Sequence, residues 1–271
     1  MSALIGVQMS TIKAAVAEFG VHEAIRRCAS IGYRSVEVSQ VAMTTDNIDA
    51  MRRAAAEFGV AVTSMSATFD ALSEDFAKAV GDCRALDCSH LRIGILPLPL
   101  LGDFEGALAF VDRAEEMAVR LRSEGVTLSY HNHHVELRKH DGVTLLEHFR
   151  QRSSVLAFQL DVHWLHRGGV DPVDYVRRFT GRTPLLHLKD YRIAPFRMPD
   201  DRSTFLAAFH GLIEFAEVGD GNLPIAACVD AGVAGGCEHF YVEQDDTYGR
   251  DPFESLAISR ANLIALGYDW F

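Results

Sequence analysis

The sequence is short of basic charge, of paired cysteines and of long apolar runs, and each shortage closes off a class of function. Lysine and arginine number 26 against 37 aspartates and glutamates, a formal net charge of −11 at neutral pH. Such a field repels phosphate backbones and anionic headgroups unless the basic residues gather on one face, and no Lys/Arg cluster stands in the chain. No nucleic acid and no membrane partner is therefore expected. The five cysteines, Cys28, Cys83, Cys88, Cys228 and Cys237, are odd in number and show no C-x-x-C spacing. They read as small buried hydrophobes in a reducing compartment, not as disulfides or a thiolate zinc site. No apolar stretch is long and uninterrupted enough to span a bilayer, and no basic segment precedes a signal-like one, so a cytoplasmic setting is expected. Neither G-x-x-x-x-G-K-[ST] nor G-x-G-x-x-G occurs, which removes nucleotide cofactors from the expectation.

What the chain does have is an ordinary globular balance, 48% hydrophobic and 23% charged over 271 residues. That excludes a collagenous, coiled-coil or wholly disordered chain and leaves one large domain or two small ones. Short β-branched runs at 4–9, 34–39, 60–66, 91–96, 126–133, 156–163, 185–189 and 240–244 read as eight strands. Helical periodicity fills the gaps, at 21–30, 45–58, 74–86, 104–123, 142–151, 172–179, 223–233 and 252–266. Asp171-Pro172 and Asp251-Pro252 are helix starts, and Gly32, Gly59, Gly125 and Gly267 are helix stops. Eight βα units without a linker favour a single (β/α)8 TIM barrel, a closed parallel eight-stranded sheet, over an open doubly wound sheet. The stretch 194–220, after the seventh strand and partly helical over 203–215, is an insertion placed where a lid would lie.

Parity then assigns faces, because the residues that point from a barrel strand to the helices must be apolar. Val126, Leu128 and Tyr130 face outward, which turns His131 and His133 inward. Leu160 and Val162 outward turn Asp161 and His163 inward. Leu186 and Leu188 outward turn His187 and Lys189 inward, and Phe240 and Val242 outward turn Glu243 and Asp245 inward. Glu37 is inward on the second strand by the same rule. These polar residues all lie toward the C-terminal ends of their strands, the rim where barrels place chemistry. Each has an ordinary reading when taken singly: Asp161 as a helix cap, Lys189 as a partner of Asp190, Glu243 with Asp245 and Asp246 as a solvated acidic strand end. Four consecutive strands presenting such groups at one end is a different matter. Buried His, Asp and Glu side chains need a common partner, and a divalent cation (Mn, Co, Zn or Mg) suits this mixed N/O set.

The segments Tyr130-His131-Asn132-His133, Leu160-Asp161, His187-Leu188-Lys189-Asp190, Glu217-Val218-Gly219-Asp220-Gly221-Asn222 and Val242-Glu243-Gln244-Asp245 resemble the xylose isomerase-like TIM-barrel superfamily, in particular its sugar phosphate isomerase/epimerase branch. The match runs in order over nearly the whole chain. The resemblance implies a metal held by Asp161, His187 and Glu243, the three that parity also selects. The family's strand-five acid is replaced here by an imidazole, with His131 ahead of His133 as the fourth ligand. Loss of that carboxylate counts against a two-face epimerisation, which in this family uses two opposed metal-bound glutamates.

The implied chemistry is proton abstraction next to a carbonyl of a small sugar or polyol through an ene-diolate. Glu243 or Glu136 would serve as base, with Lys189, His131 or His163 as proton carriers. His133, His163, Trp164, Arg192 and Glu37 are the expected substrate contacts. The same site permits an isomerase, an epimerase or, in an inosose dehydratase-like variant, a lyase acting on a keto-polyol. An apurinic endonuclease-like barrel would need the basic groove that this composition lacks, and a non-catalytic sugar-binding barrel would never acquire a metal. Barrels of this kind often pair, so a homodimer or tetramer fits.

Overall fold

The computed structural model describes residues 3–271. Eight strands form its centre: β1 (Leu4–Gln8), β2 (Ser35–Val38), β3 (Ala61–Ala67), β4 (His90–Ile93), β5 (Thr127–His131), β6 (Ala157–Asp161), β7 (Leu185–Leu188) and β8 (His239–Val242). Every neighbouring pair is parallel, and β8 closes onto β1 with Leu4 beside His239 and Val7 beside Val242. The sheet is thus a closed barrel with its helices outside, the (β/α)8 expectation. Tyr130, outward by parity, packs against Phe110 and Phe149 from two surrounding helices at 6.1 and 5.2 Å between ring centroids. Burying such aromatic rings contributes a few kcal/mol each, on the order of ~2.

Local signals set the boundaries. Asp171 accepts from the Asp174 amide and Asp251 from the Phe253 amide, each with proline opening the helix. Gly59 ends the helix Thr45–Phe58 at φ 66°, where a side chain would be strained.

The register of β2 against β3 shifts between Val36 and Glu37, a bulge that falls on a site residue. Several strands are shorter than expected at their C-terminal ends. β5 stops at His131, so His133 stands on the following loop, and β6 stops at Asp161, so His163 belongs to the short helix Val162–Arg167. The insertion differs more. Only Phe205–His210 is α-helical, after a short 3-10 turn, and Ile213–Ala216 is a strand pairing antiparallel with Asp190–Ile193. Its inner end packs Phe215 against His163 and Trp164 at 5.1 and 6.3 Å.

Candidate active site

At the C-terminal rim the chain encloses a cavity of about 770 Å3 lined on one side by His131, His133, Lys189, Glu243 and Asp245. Ile95, Pro97, Leu98 and Pro99 from the loop after β4 also line it, along with polar groups that include Ser10, Ser39 and Arg92. Asp161 and His187 are fully buried behind Glu243. Asp161 ends β6 and caps the next helix, its Oδ1 accepting from the Trp164 amide at 3.0 Å. That cap fixes the carboxylate and leaves Oδ2 without a hydrogen bond. The Asn132 side-chain Oδ1 accepts from the Asp161 backbone amide at 3.0 Å, so the middle of the Tyr-His-Asn-His segment ties β5 to β6.

His187 is held from below. Its Nε2 lies 2.7 Å from Glu37 Oε1, and its Nδ1 faces Glu243 Oε2 at 2.8 Å and Asp161 Oδ2 at 3.8 Å. Burial by itself would push this imidazole down; the Glu37 and Glu243 carboxylates outweigh it and raise it to about 10. Glu37 in turn accepts from Gln159 at 2.5 Å and faces Arg92 Nε at 2.9 Å. Its own burial is overcome by Arg92 and His187, which bring the carboxyl down to about 2. Lys189 Nζ sits 2.9 Å from Glu243, 3.0 Å from Asp245 and 3.5 Å from Asp161, which outweigh its burial and hold its ammonium above the usual range. Glu243 also accepts from Ser10 at 2.8 Å.

One observation tests whether these residues suit a cation. His131 Nδ1 and Asp161 Oδ2 are buried without a hydrogen-bond partner among the described residues, while His187 Nδ1 and Glu243 Oε2 face each other at 2.8 Å. Donor atoms of His131, Asp161 and His187 lie within 4.8 Å of one another, and Glu243 adjoins His187. Two imidazoles and a carboxylate gathered in the barrel interior, with a second carboxylate beside them, are a donor set that a borderline dication takes.

The remaining expected residues fall elsewhere. Glu136 accepts from the Tyr130 hydroxyl at 2.7 Å and the His133 amide at 2.8 Å, a structural brace with no face on the main cavity. Arg192 pairs with Glu214 and Glu217 on the insertion hairpin, away from the cavity. Glu37 lies beneath the site, not on its wall. Lys189 does not pair with Asp190, whose carboxylate instead accepts from the amides of Tyr191, Gly219, Gly221 and Leu223. Trp164 stands behind Lys189, its ring 5.2 Å from Nζ, and His163 packs on it with both ring nitrogens unpartnered. Sequence reasoning missed Arg92, Ser10 and Asn132. Extending parity to β4 would have found Arg92, which is flanked by the buried Leu91 and Ile93.

A closed parallel barrel with buried imidazoles and carboxylates converging at its C-terminal rim defines a class, the barrels built to carry chemistry on strand ends. The family described as xylose isomerase-like TIM barrel matches residues 25–231, and the chain belongs to it. None of the curated proteins compared with the sequence matches it. Among solved structures it is similar to a sugar phosphate isomerase/epimerase from Parabacteroides distasonis ATCC 8503, at TM-score 0.76 and 20% identity, covering 98% of this chain and 95% of that one. It is similar to the probable 3-DHS dehydratase AsbF from Bacillus anthracis at TM-score 0.69 and 14% identity, over 99% of both. The IOLI protein with a bound zinc atom aligns at 0.68 and 13%, again over 99% of both. At these identities the likeness is one of fold.

Proposed function

We propose that this protein is a divalent-metal-dependent enzyme that isomerises a small sugar or polyol by removing a proton next to its carbonyl. The observation that carries the reading is the convergence of buried ligand-type atoms of His131, Asp161 and His187, with Glu243 beside them and with His131 Nδ1 and Asp161 Oδ2 lacking a hydrogen-bond partner among the described residues. A dication held by them would stabilise the negative charge that develops on the substrate oxygens as the proton leaves. Glu37, by accepting at Nε2, keeps the Nδ1 face of His187 turned toward Asp161 and Glu243. Glu243 is the one carboxylate of that set on the cavity wall and serves as the base, with Lys189 Nζ at 2.9 Å to steady its charge and relay a proton. His133, which burial lowers to about 4, meets a substrate hydroxyl as a neutral imidazole. The apolar lip from Ile95 to Pro99 covers the carbon face of the substrate and excludes water.

His131 favours a second reading. Where a second glutamate would give a base on each face of the reacting carbon, an imidazole stands, which burial and the nearby His187 and Arg92 charges hold well below its usual range. A site with one carboxylate base suits proton transfer on one face, or removal of a proton followed by loss of a β-hydroxyl from a keto-polyol. Ketoses and keto-inositols are screened with added Mn2+ or Co2+ while isomer and dehydrated product are both followed. Formation of either product, abolished by chelator, supports metal-dependent catalysis and tells the two readings apart. A protein that never acquires stoichiometric divalent metal at the rim overturns both.

A further inference from the structure

The opposite end of the barrel carries a second set of ligand-type side chains. β4 and β8 face one another across the closed sheet, and each begins on a histidine. The two starts share a pattern, Cys88-Ser89-His90 and Cys237-Glu238-His239. In each, the cysteine sulfur donates to the carbonyl of its own histidine, at 3.4 and 3.3 Å, so both strands enter the barrel alike. The imidazoles meet edge to face with centroids 5.6 Å apart. Glu238 brings Oε2 to 3.7 Å from His90 Nε2, and one donor atom from each of the three residues lies within 4.8 Å of the other two.

Packing alone accounts poorly for this arrangement. His90 is 4% exposed, and Nδ1 of both rings is buried without a hydrogen-bond partner among the described residues. A histidine kept in a core for its shape normally places a ring nitrogen on a carbonyl or hydroxyl.

We propose that His90, His239 and Glu238 form a metal site on the barrel floor, separate from the rim, that takes a zinc-like transition dication and staples opposite sides of the sheet. Two imidazoles and a carboxylate are a donor set that zinc accepts, with a fourth position left for water. Glu238 gives the ion its entry. Its side chain is 44% exposed and borders a crevice of about 350 Å3 with Thr127, Arg182 and Gly236.

The test uses Zn2+ alone, titrated against a chromophoric chelator, in the full chain carrying Asp161→Asn and His187→Gln to disable the rim. This chain is expected to bind about one zinc and to melt at higher temperature with it. Adding Glu238→Gln weakens binding about tenfold or more, and adding His239→Gln removes both the zinc and the thermal shift. Glu238 lies at the surface, so its variant folds. Should the rim-disabled chain fail to fold, the zinc count of the unaltered chain falls by one with His239→Gln. No zinc on a folded rim-disabled chain overturns the proposal, as does a count or affinity that neither variant changes. The rim reading has a separate outcome, since its failure leaves the floor zinc in place.

Discussion

A carboxylate oxygen or imidazole nitrogen left without a hydrogen bond inside a protein costs about 1–3 kcal/mol, and the rim holds two of them, on His131 and Asp161. Glu243 is the carboxylate of the proposed metal set that reaches the cavity, which makes Glu243→Gln the sharpest single-residue test. The amide keeps the shape and the Ser10 contact but cannot take a proton. Turnover should fall by about 10²–10⁴-fold with an unchanged circular dichroism spectrum, and near-native activity on the true substrate would refute the assignment. Glu37 acts one step back. Glu37→Gln should weaken metal binding about 10–100-fold by calorimetric titration, because Nε2 of His187 loses its carboxylate; unchanged affinity would return Glu37 to a purely structural role. Parity reached Asp161, His187, Glu243 and His131 because each alternates with buried aliphatics. Glu136 lies on the loop beyond β5, outside the reach of parity, and its place three residues after His133 is a bracing position that spacing cannot tell from that of a base.

At the scale of elements, order and count were legible, since each strand reads as a β-branched run closed by turn residues. Ends were less so: at β5, β6 and β8 the chain leaves the sheet where polar site residues begin, and alternation cannot see a strand stop. The hairpin of Asp190–Ile193 with Ile213–Ala216 was missed because its strands are only partly buried and lack the run of buried apolar residues that marks the barrel strands. Its anchor is the Asp190 carboxylate, against which a Cβ on Gly221 would collide. Another carboxylate joins element to element. Glu115, on the helix Phe104–Ser123, accepts from the amides of Ser154, Val155 and Leu156 and the Ser154 hydroxyl just before β6. Burial raises its carboxyl, but these donors outweigh that and hold it below the usual value. A lowered folded pKa means stability present above the unfolded value, about 4.3, and lost as pH falls through the folded one. Glu115→Gln should therefore cost about 1 kcal/mol in urea unfolding at pH 7, a gap that closes below roughly pH 4. A gap constant with pH would mean the charge contributes nothing.

Over the whole molecule, a barrel must fill its interior, and this one fills the rim end with ions: the carboxylates of Glu37, Asp161 and Glu243 against Arg92, His187 and Lys189. That balance, legible only in part because Arg92 escaped notice, predicts a fold that stands without a metal. The net charge of −11 makes a related statement outside. Binding to duplex DNA should be absent or show a flat dependence on salt; a steep slope would reveal a basic groove. The interior balance also bears on heat stability. An ion bound only by the folded chain adds about 2.7 kcal/mol at a hundredfold excess over its Kd, which raises Tm by roughly 5–10 °C for a domain of this size. In a His239→Gln background, where the floor cluster is disabled, Mn2+ or Co2+ should produce that rise and a chelator should reverse it, while the chelated chain still melts cooperatively. Lys189, already paired with Glu243, Asp245 and Asp161, is what keeps the carboxylates from repelling one another once the dication is gone. Loss of cooperative melting on chelation would show instead that the ion, not the lysine, holds the rim together.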